Sequence, residues 1–232
     1  MFLSVIIPAY NEEKRIAKTL LSVGEYLKRQ PFNYEILVVS DGSTDKTVEV
    51  VNRLKEQIAG LKIIDNKENH GKGWAVQQGI LNAVGDIRLF MDADNSTNID
   101  QVAKFLPYFQ QGYDVLIAKR IVMVKQPWTR EFLGWVFRLI VRILVPLGVS
   151  DSQAGFKAFS RKSVEVIFTK QTVFRWAFDV EILAIAKKMK FKIKEVPVIW
   201  ANDVQSHVKI SGMVKMFFEV LIVRKNLWSK KY

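Results

Sequence analysis

Two aspartates, Asp92 and Asp94, follow directly on the run Ile87-Arg88-Leu89-Phe90-Met91. A short apolar run of that kind reads as a buried strand, so both carboxylates fall where a strand ends and a loop begins. That edge is where open α/β sheets bind ligands. Carboxylates spaced i, i+2 can jointly hold a hard divalent ion, and Mg²⁺ or Mn²⁺ commonly bridges such groups to a diphosphate. Asp pairs are also frequent in solvated loops, so D-A-D alone has little weight.

The elements that must position this pair recur along the first half. Leu3–Ile7, Glu35–Val39, Leu61–Ile64, Ile87–Met91 and Val115–Ala118 are short β-branched or apolar runs, separated by helix-like stretches such as Glu12–Arg29 and Thr44–Gln57. This alternation predicts βαβ units and a mostly parallel sheet flanked by helices, an α/β fold. The first strand leaves through Pro8-Ala9-Tyr10-Asn11-Glu12-Glu13. There Pro8 stiffens the exit, Tyr10 can stack on a flat ring and Asn11 can cap the next helix. The second leaves through Ser40-Asp41-Gly42-Ser43-Thr44-Asp45. Gly42 permits a tight turn, Ser43 or Thr44 can cap the next helix, and Asp41 can accept from a nucleobase N–H or a ribose hydroxyl. Asp45 fits the helix N-terminus better. After the third run comes Asn69-His70-Gly71-Lys72-Gly73-Trp74-Ala75, two glycines for close backbone approach around a cation for phosphate. His70 reads as an ordinary loop residue.

Taken in order, P-A-Y-N-E, D-G-S-T-D, N-H-G-K-G-x-A and D-A-D resemble the family 2 glycosyltransferases of GT-A fold across most of residues 1–120. The resemblance implies a nucleotide-sugar pocket drawing on Pro8, Tyr10, Glu12, Val39, Asp41, Lys72 and Ala93. It implies a Mg²⁺ or Mn²⁺ ion at Asp92, Asp94 and Ser96, held against the donor diphosphate. Ser40 departs from the pattern, since many relatives carry a second Asp there.

Charge divides the chain. Residues 1–118 carry 13 Lys and Arg against 15 Asp and Glu, whereas residues 119–232 carry 22 against 8. The second half is therefore expected to meet something anionic, nucleic acid or a membrane surface. Val115–Arg120 reads as a strand delivering Lys119 and Arg120. Phe132–Val149 has nearly the length of a bilayer span, but Arg138, Arg142 and Pro146 argue against crossing. A basic amphipathic helix would instead lie in the headgroup plane; the alternative is a core helix with snorkelling arginines.

Two later segments, D-S-Q-A-G-F-K-A-F from Asp151 and R-W-A-F-D-V-E from Arg175, resemble the polyprenyl-phosphate branch of the family, and the dolichyl-phosphate glucosyltransferases more than the mannosyltransferases. The resemblance implies acceptor contacts from Asp151, Lys157, Arg175, Asp179 and Glu181. Val196–Trp200 resembles that branch's late strand, and Lys209 is the counterpart of its phosphate-holding lysine. Gly212–Trp228, with Lys215, Arg224 and Lys225, reads as a second interfacial helix; Lys230 and Lys231 favour anionic lipid.

The implied reaction is inverting hexose transfer from a nucleotide sugar, UDP-glucose in preference to GDP-mannose, to a polyprenyl or dolichyl phosphate. Asp92, Asp94 and Arg120 are the expected catalytic residues, with Arg120 and Lys209 adding to the stabilisation of charge on the leaving diphosphate. A phosphate monoester has a second pKa of about 6, so it can attack as a dianion, positioned by Lys157 and Arg175. A sugar hydroxyl acceptor would need Asp179 or Glu181 as base; that alternative is a family 2 enzyme of cell-wall or capsule synthesis. A nucleic-acid binder is disfavoured by the absence of helix-turn-helix, zinc-ligand or RNP-like patterns. An inert membrane scaffold is disfavoured by the intact D-A-D.

With no Cys there is no disulfide or thiolate chemistry. The N-terminus lacks a basic leader and runs straight into a strand-like segment. A single catalytic domain over residues 1–232 is expected, with a nucleotide-sugar half at 1–120 and an acceptor and membrane-surface half at 121–232. It would sit peripherally on the cytoplasmic face of a membrane, with a membrane-protein partner to flip the product.

Overall fold

The structure, a computed structural model, describes residues 1–122, 139–201, 210–229 and 231–232. Its frame is one seven-stranded sheet in the order β3-β2-β1-β4-β6-β5-β7. The strands are β1 (Phe2–Ala9), β2 (Asn33–Asp41), β3 (Leu61–Asn66), β4 (Ile87–Met91), β5 (Val115–Val122), β6 (Phe156–Ser160) and β7 (Ile193–Trp200). Strand β1 pairs in parallel with β2 and β4, as do β2 with β3 and β5 with β7. Strand β6 runs antiparallel to both β4 and β5. It is the one reversed strand among the described residues, so its N-terminal end meets the edge where the other six end.

Helices α1 (Ile16–Lys28), α2 (Thr47–Leu54) and α3 (Lys72–Asn82) supply the crossovers of the first half. In α1 the buried residues Ile16, Leu20, Val23 and Leu27 form one stripe at helical spacing. Leu3, Val5, Ile6 and Ile7 of β1 are all fully buried, as expected for a central strand covered on both faces. A 3-10 turn (Ile99–Lys104) and α4 (Leu106–Gln110) follow β4. The second half contributes helical residues 139–144 (α5), α6 (Arg161–Lys170), α7 (Phe178–Lys188) and α8 (Ile210–Trp228).

The first helix starts four residues later than the pattern predicts, and Asn11 does not cap it. Asn11 adopts a left-handed φ of 55°, and its side-chain oxygen accepts the Thr44 N–H at 2.8 Å. Asp45, in contrast, takes the place expected of it, accepting the Thr47 N–H at 2.9 Å where α2 begins. Of Phe132–Val149, residues 132–138 lie outside the described residues; Val141 and Val145 are buried while Leu139 and Ile143 are exposed. No helix among the described residues is long and apolar enough to cross a membrane.

Candidate active site

The loops after β1 and β2 are bound into one wall. The Asn11 N–H donates to Ser43 Oγ, the Glu12 N–H to Thr47 Oγ1 and the Glu13 N–H to Asp45 Oδ2, while Glu13 accepts the Lys46 N–H. Tyr10 stands 49 % exposed on this wall, free to take a flat ring. Pro8 and Val39 face each other across β1 and β2 and are buried, so they shape the floor through backbone and packing. Asp41 accepts the N–H groups of His70 and Gly71 at 2.9 and 2.7 Å. Its carboxylate thus fixes the loop that leads to Lys72, a local task beside any contact to a nucleotide.

At the end of β4, Asp92 meets Lys72 at 2.5 Å, with 34 % and 42 % of the two side chains exposed. Desolvation works against the Lys72 ammonium, but Asp92, Asp179 and Asp94 outweigh it and hold its pKa above the ordinary lysine value. Asp94 accepts the Ser96 N–H at 2.9 Å, and the Ala93 carbonyl accepts Thr19 Oγ1 at 2.6 Å, which tightens the turn. The Asp92 N–H donates to the Gly155 carbonyl at 3.1 Å, and a Cβ on Gly155 would overlap the Asp92 carboxylate. That glycine is therefore part of the site, although the sequence marked it only as a letter in a motif. Burial raises the Glu12 pKa; the hydrogen bond and charge of Arg15 oppose that rise, and the carboxylates of Asp94 and Asp92 add to it.

Two hard-oxygen side chains at a strand edge, both partly open, fit a cation that takes one or two carboxylates from protein and the rest from phosphate and water. The Asn95 amide oxygen beside them is buried without a hydrogen-bond partner. Among the described residues, no group of three or more His, Cys, Asp or Glu side chains forms a complete cation cage.

From the other side, Arg120 forms a fork on Asp151 at 2.7 and 2.8 Å and lies 5.3 Å from the centre of the Trp200 ring. Burial lowers its pKa, yet Asp151, Asp92 and Asp179 together raise it on balance. Lys157 is fully buried, bonded to Asp179 and to the Ala154 carbonyl, each at 2.5 Å. Burial pushes the Lys157 ammonium down and the Asp179 carboxyl up, against the pull of each on the other. Around Gly71 and Gly73 the close approach anticipated for a ligand is made by the protein itself. A Cβ on either would strike Phe174, Arg175 or Phe178.

The glycosyl transferase family 2 model matches residues 4–168. The chain belongs to this family. It is therefore a glycosyltransferase. Its relatives include the dolichyl-phosphate beta-glucosyltransferase ALG5D of Trichomonas vaginalis, 35 % identical over 99 % of this chain and 76 % of that protein. The dolichyl-phosphate beta-glucosyltransferase of Saccharomyces cerevisiae is 32 % identical over 97 % of this chain and 74 % of its own length. Among solved structures, mannosyl-3-phosphoglycerate synthase from Rubrobacter xylanophilus superposes with a TM-score of 0.76 at 18 % identity, covering 100 % of this chain and 76 % of that one. Glucosyl-3-phosphoglycerate synthase from Mycobacterium tuberculosis, solved with Mn²⁺, UDP-glucose and phosphoglyceric acid, gives 0.74 at 18 % identity over 97 % and 79 %. The fold is of GT-A type.

Within this glycosyltransferase, Asp92, Asp94, Lys72, Arg120, Asp151, Lys157 and Asp179 form one electrostatically linked cluster. Arg175 is exposed beside it and reaches the Asn69 carbonyl at 3.4 Å. Lys157 is not a surface cation, because Asp179 and the sheet enclose it. Glu181 does not join the cluster. It is fully buried and accepts the Thr172 and Val173 N–H groups and the Tyr232 hydroxyl. Lys209 lies outside the described residues. The sequence patterns missed Gly155, and also Glu219, whose partners are 42 and 43 residues away.

Proposed function

We propose that this glycosyltransferase moves glucose from UDP-glucose to dolichyl or a related polyprenyl phosphate, working on the cytoplasmic face of a membrane. The observation that carries the reading is the span of its likeness to dolichyl-phosphate beta-glucosyltransferases. It runs through nearly the whole chain, so the segments from Asp151 and Arg175 fall inside its span together with the donor motifs. The structural neighbour solved with UDP-glucose supports the donor, and neighbours solved with Mn²⁺ or Mg²⁺ support a divalent cation.

Asp92, Asp94 and Ser96 are the residues that would hold that cation. When bound, such an ion supplies positive charge against the leaving diphosphate. Lys72 already lies on Asp92 and can turn to a phosphate oxygen when Asp92 is otherwise engaged. Arg120 uses two N–H donors on Asp151 and keeps three of its five, enough to face a second anion. Asp179 is buried and its carboxylate is engaged by Lys157, so it faces the wall and not an acceptor. An acceptor phosphate that is already a dianion needs no general base, and Arg175 is the exposed cation for it.

One face of α8 suits a lipid surface. Phe218, Leu221, Ile222 and Trp228 are exposed together with Lys215 and Lys225, the pattern of a helix lying in the headgroup plane.

The deciding experiment is transfer to a short polyprenyl phosphate with Mg²⁺ or Mn²⁺, comparing UDP-glucose with GDP-mannose. Lipid-linked glucose is expected from UDP-glucose. Asp94→Ala should lower the rate by about 10²- to 10³-fold with the circular dichroism spectrum unchanged, and retained activity would exclude the metal role. Transfer to a soluble sugar alone would overturn the lipid acceptor.

A further inference from the structure

Helix α8 contains a single acidic residue, Glu219, among apolar and basic ones. Its carboxylate turns inward. Oε2 accepts the backbone N–H of Trp176 at 2.8 Å and of Ala177 at 2.7 Å. These two groups sit at the start of α7, whose own N-cap residue, Ala177, makes no side-chain bond. The first N–H groups of a helix lack intrahelical partners and carry the positive end of its dipole. Two charge-assisted bonds to one carboxylate are therefore a strong restraint on this backbone.

The restrained segment is a strap between the two halves of the enzyme. On its far side Gln171 Nε2 donates to the Gly73 carbonyl at 3.0 Å. The Phe174 carbonyl accepts the Gly73 N–H at 2.8 Å, and Arg175 reaches the Asn69 carbonyl. On its near side the Trp176 ring rests on Gly212 of α8, where a Cβ would come within 3.2 Å of it. Arg175 and Trp176 are the exposed residues of the strap, and Trp176 keeps 40 % of its surface. A guanidinium beside an exposed indole offers one group for a phosphate and one for the hydrocarbon attached to it.

We propose that Glu219 is a positioning residue for the acceptor, fixing the strap so that Arg175 and Trp176 present this pair of groups beside Lys72 and Asp92. The inference rests on the glycosyl-transfer reading above and adds to it the place where acceptor is held. Helix α8, which offers its outer face to lipid, sets the acceptor site through its one inward carboxylate.

The test is steady-state kinetics of the full chain with acceptor varied at saturating donor, together with calorimetric UDP binding, for wild type, Glu219→Ala and Glu219→Gln. Glu219→Ala is expected to raise the acceptor KM about tenfold while UDP affinity stays within about twofold, the signature of lost ground-state binding rather than lost chemistry. Glu219→Gln keeps an oxygen that can accept both N–H groups and should remain close to wild type. A fall in kcat with acceptor KM unchanged would overturn the proposal, as would Glu219→Gln as impaired as Glu219→Ala. If Glu219→Ala does not fold, Trp176→Ala serves in its place with the same expected rise in KM; an unchanged KM would sink the idea. A wild type that uses only a soluble sugar would remove the lipid reading, and the KM comparison for that sugar would still decide the role of Glu219.

Discussion

The Lys72–Asp92 and Lys157–Asp179 pairs both close at 2.5 Å, yet the first leaves 42 % and 34 % of its side chains exposed and the second 0 % and 8 %. The ammonium of Lys72 is held above its ordinary pKa and that of Lys157 below. Residue types and distance are the same; what differs is side-chain exposure and the neighbouring charges, since Lys72 faces Asp92, Asp179 and Asp94 while Lys157 faces Asp179 and Asp151 with Lys72 opposing them. A half-exposed pair can open and exchange partners with little loss, which suits a site that must admit phosphate and then release it. A buried pair cannot open without stranding a charge, which suits the wall behind that site. Type and spacing in the sequence do not separate the two; burial does.

Breaking the buried pair has the largest expected effect. Lys157→Ala leaves Asp179 uncompensated in the interior and should destabilise the fold by about 3–5 kcal/mol, read as a shift of the urea midpoint. Replacing both partners by apolar side chains, Lys157→Met with Asp179→Leu, should recover most of that loss. If the single variant unfolded no more readily than wild type, the assignment of this pair to the wall would be wrong.

Lys72→Ala should show the reverse profile. An exposed pair contributes about 0–1 kcal/mol to stability, whereas loss of a cation facing a developing phosphate charge should slow transfer about 10²-fold. Equal losses in stability and rate would erase the contrast between the pairs.

A third lysine–carboxylate pair, at the opposite edge of the sheet, sharpens the comparison. Glu35 is buried there and bonded to Lys62 at 2.9 Å, to the Ser4 hydroxyl and to the Val84 N–H. Burial raises its carboxyl pKa, but these partners together outweigh burial and lower it below 4.5. The folded chain thus binds this proton more weakly than the unfolded chain does. The stabilisation is present above pH 4.5 and lost as pH falls through the lowered value. Glu35→Gln should remove about 1–2 kcal/mol at neutral pH, and the difference from wild type should shrink under acid. A gap that does not change with pH would refute the linkage.

The sheet's parallel part was legible because β1, β2 and β4 are short, mostly apolar runs followed by polar residues, the pattern of a strand covered on both faces. Asp92 and Arg120 could be placed from the sequence because each sits at or near the end of such a strand, and Lys72 because two glycines flank it where a helix begins. Strand β6 was not. Its sequence Phe-Lys-Ala-Phe-Ser carries a lysine at a fully buried position, and the group that makes this tolerable, Asp179, lies 22 residues away. Glu181 read as an acceptor contact because it follows Asp179 closely in one motif. On a helix, however, residues two apart point in different directions, and Glu181 turns toward Tyr232. Long-range partners of single polar residues leave no periodic trace, and Glu219 was invisible for that reason.

Strand β5 ends at the catalytic edge, and the reversed strand β6 begins there. The chain between Val122 and Phe156 therefore departs from and returns to the same side of the sheet, and no strand has to be rethreaded when its length or composition changes. Its last residues include Asp151 and Gly155, which bond Arg120 and Asp92, so whatever the stretch carries is anchored to the site at its return end.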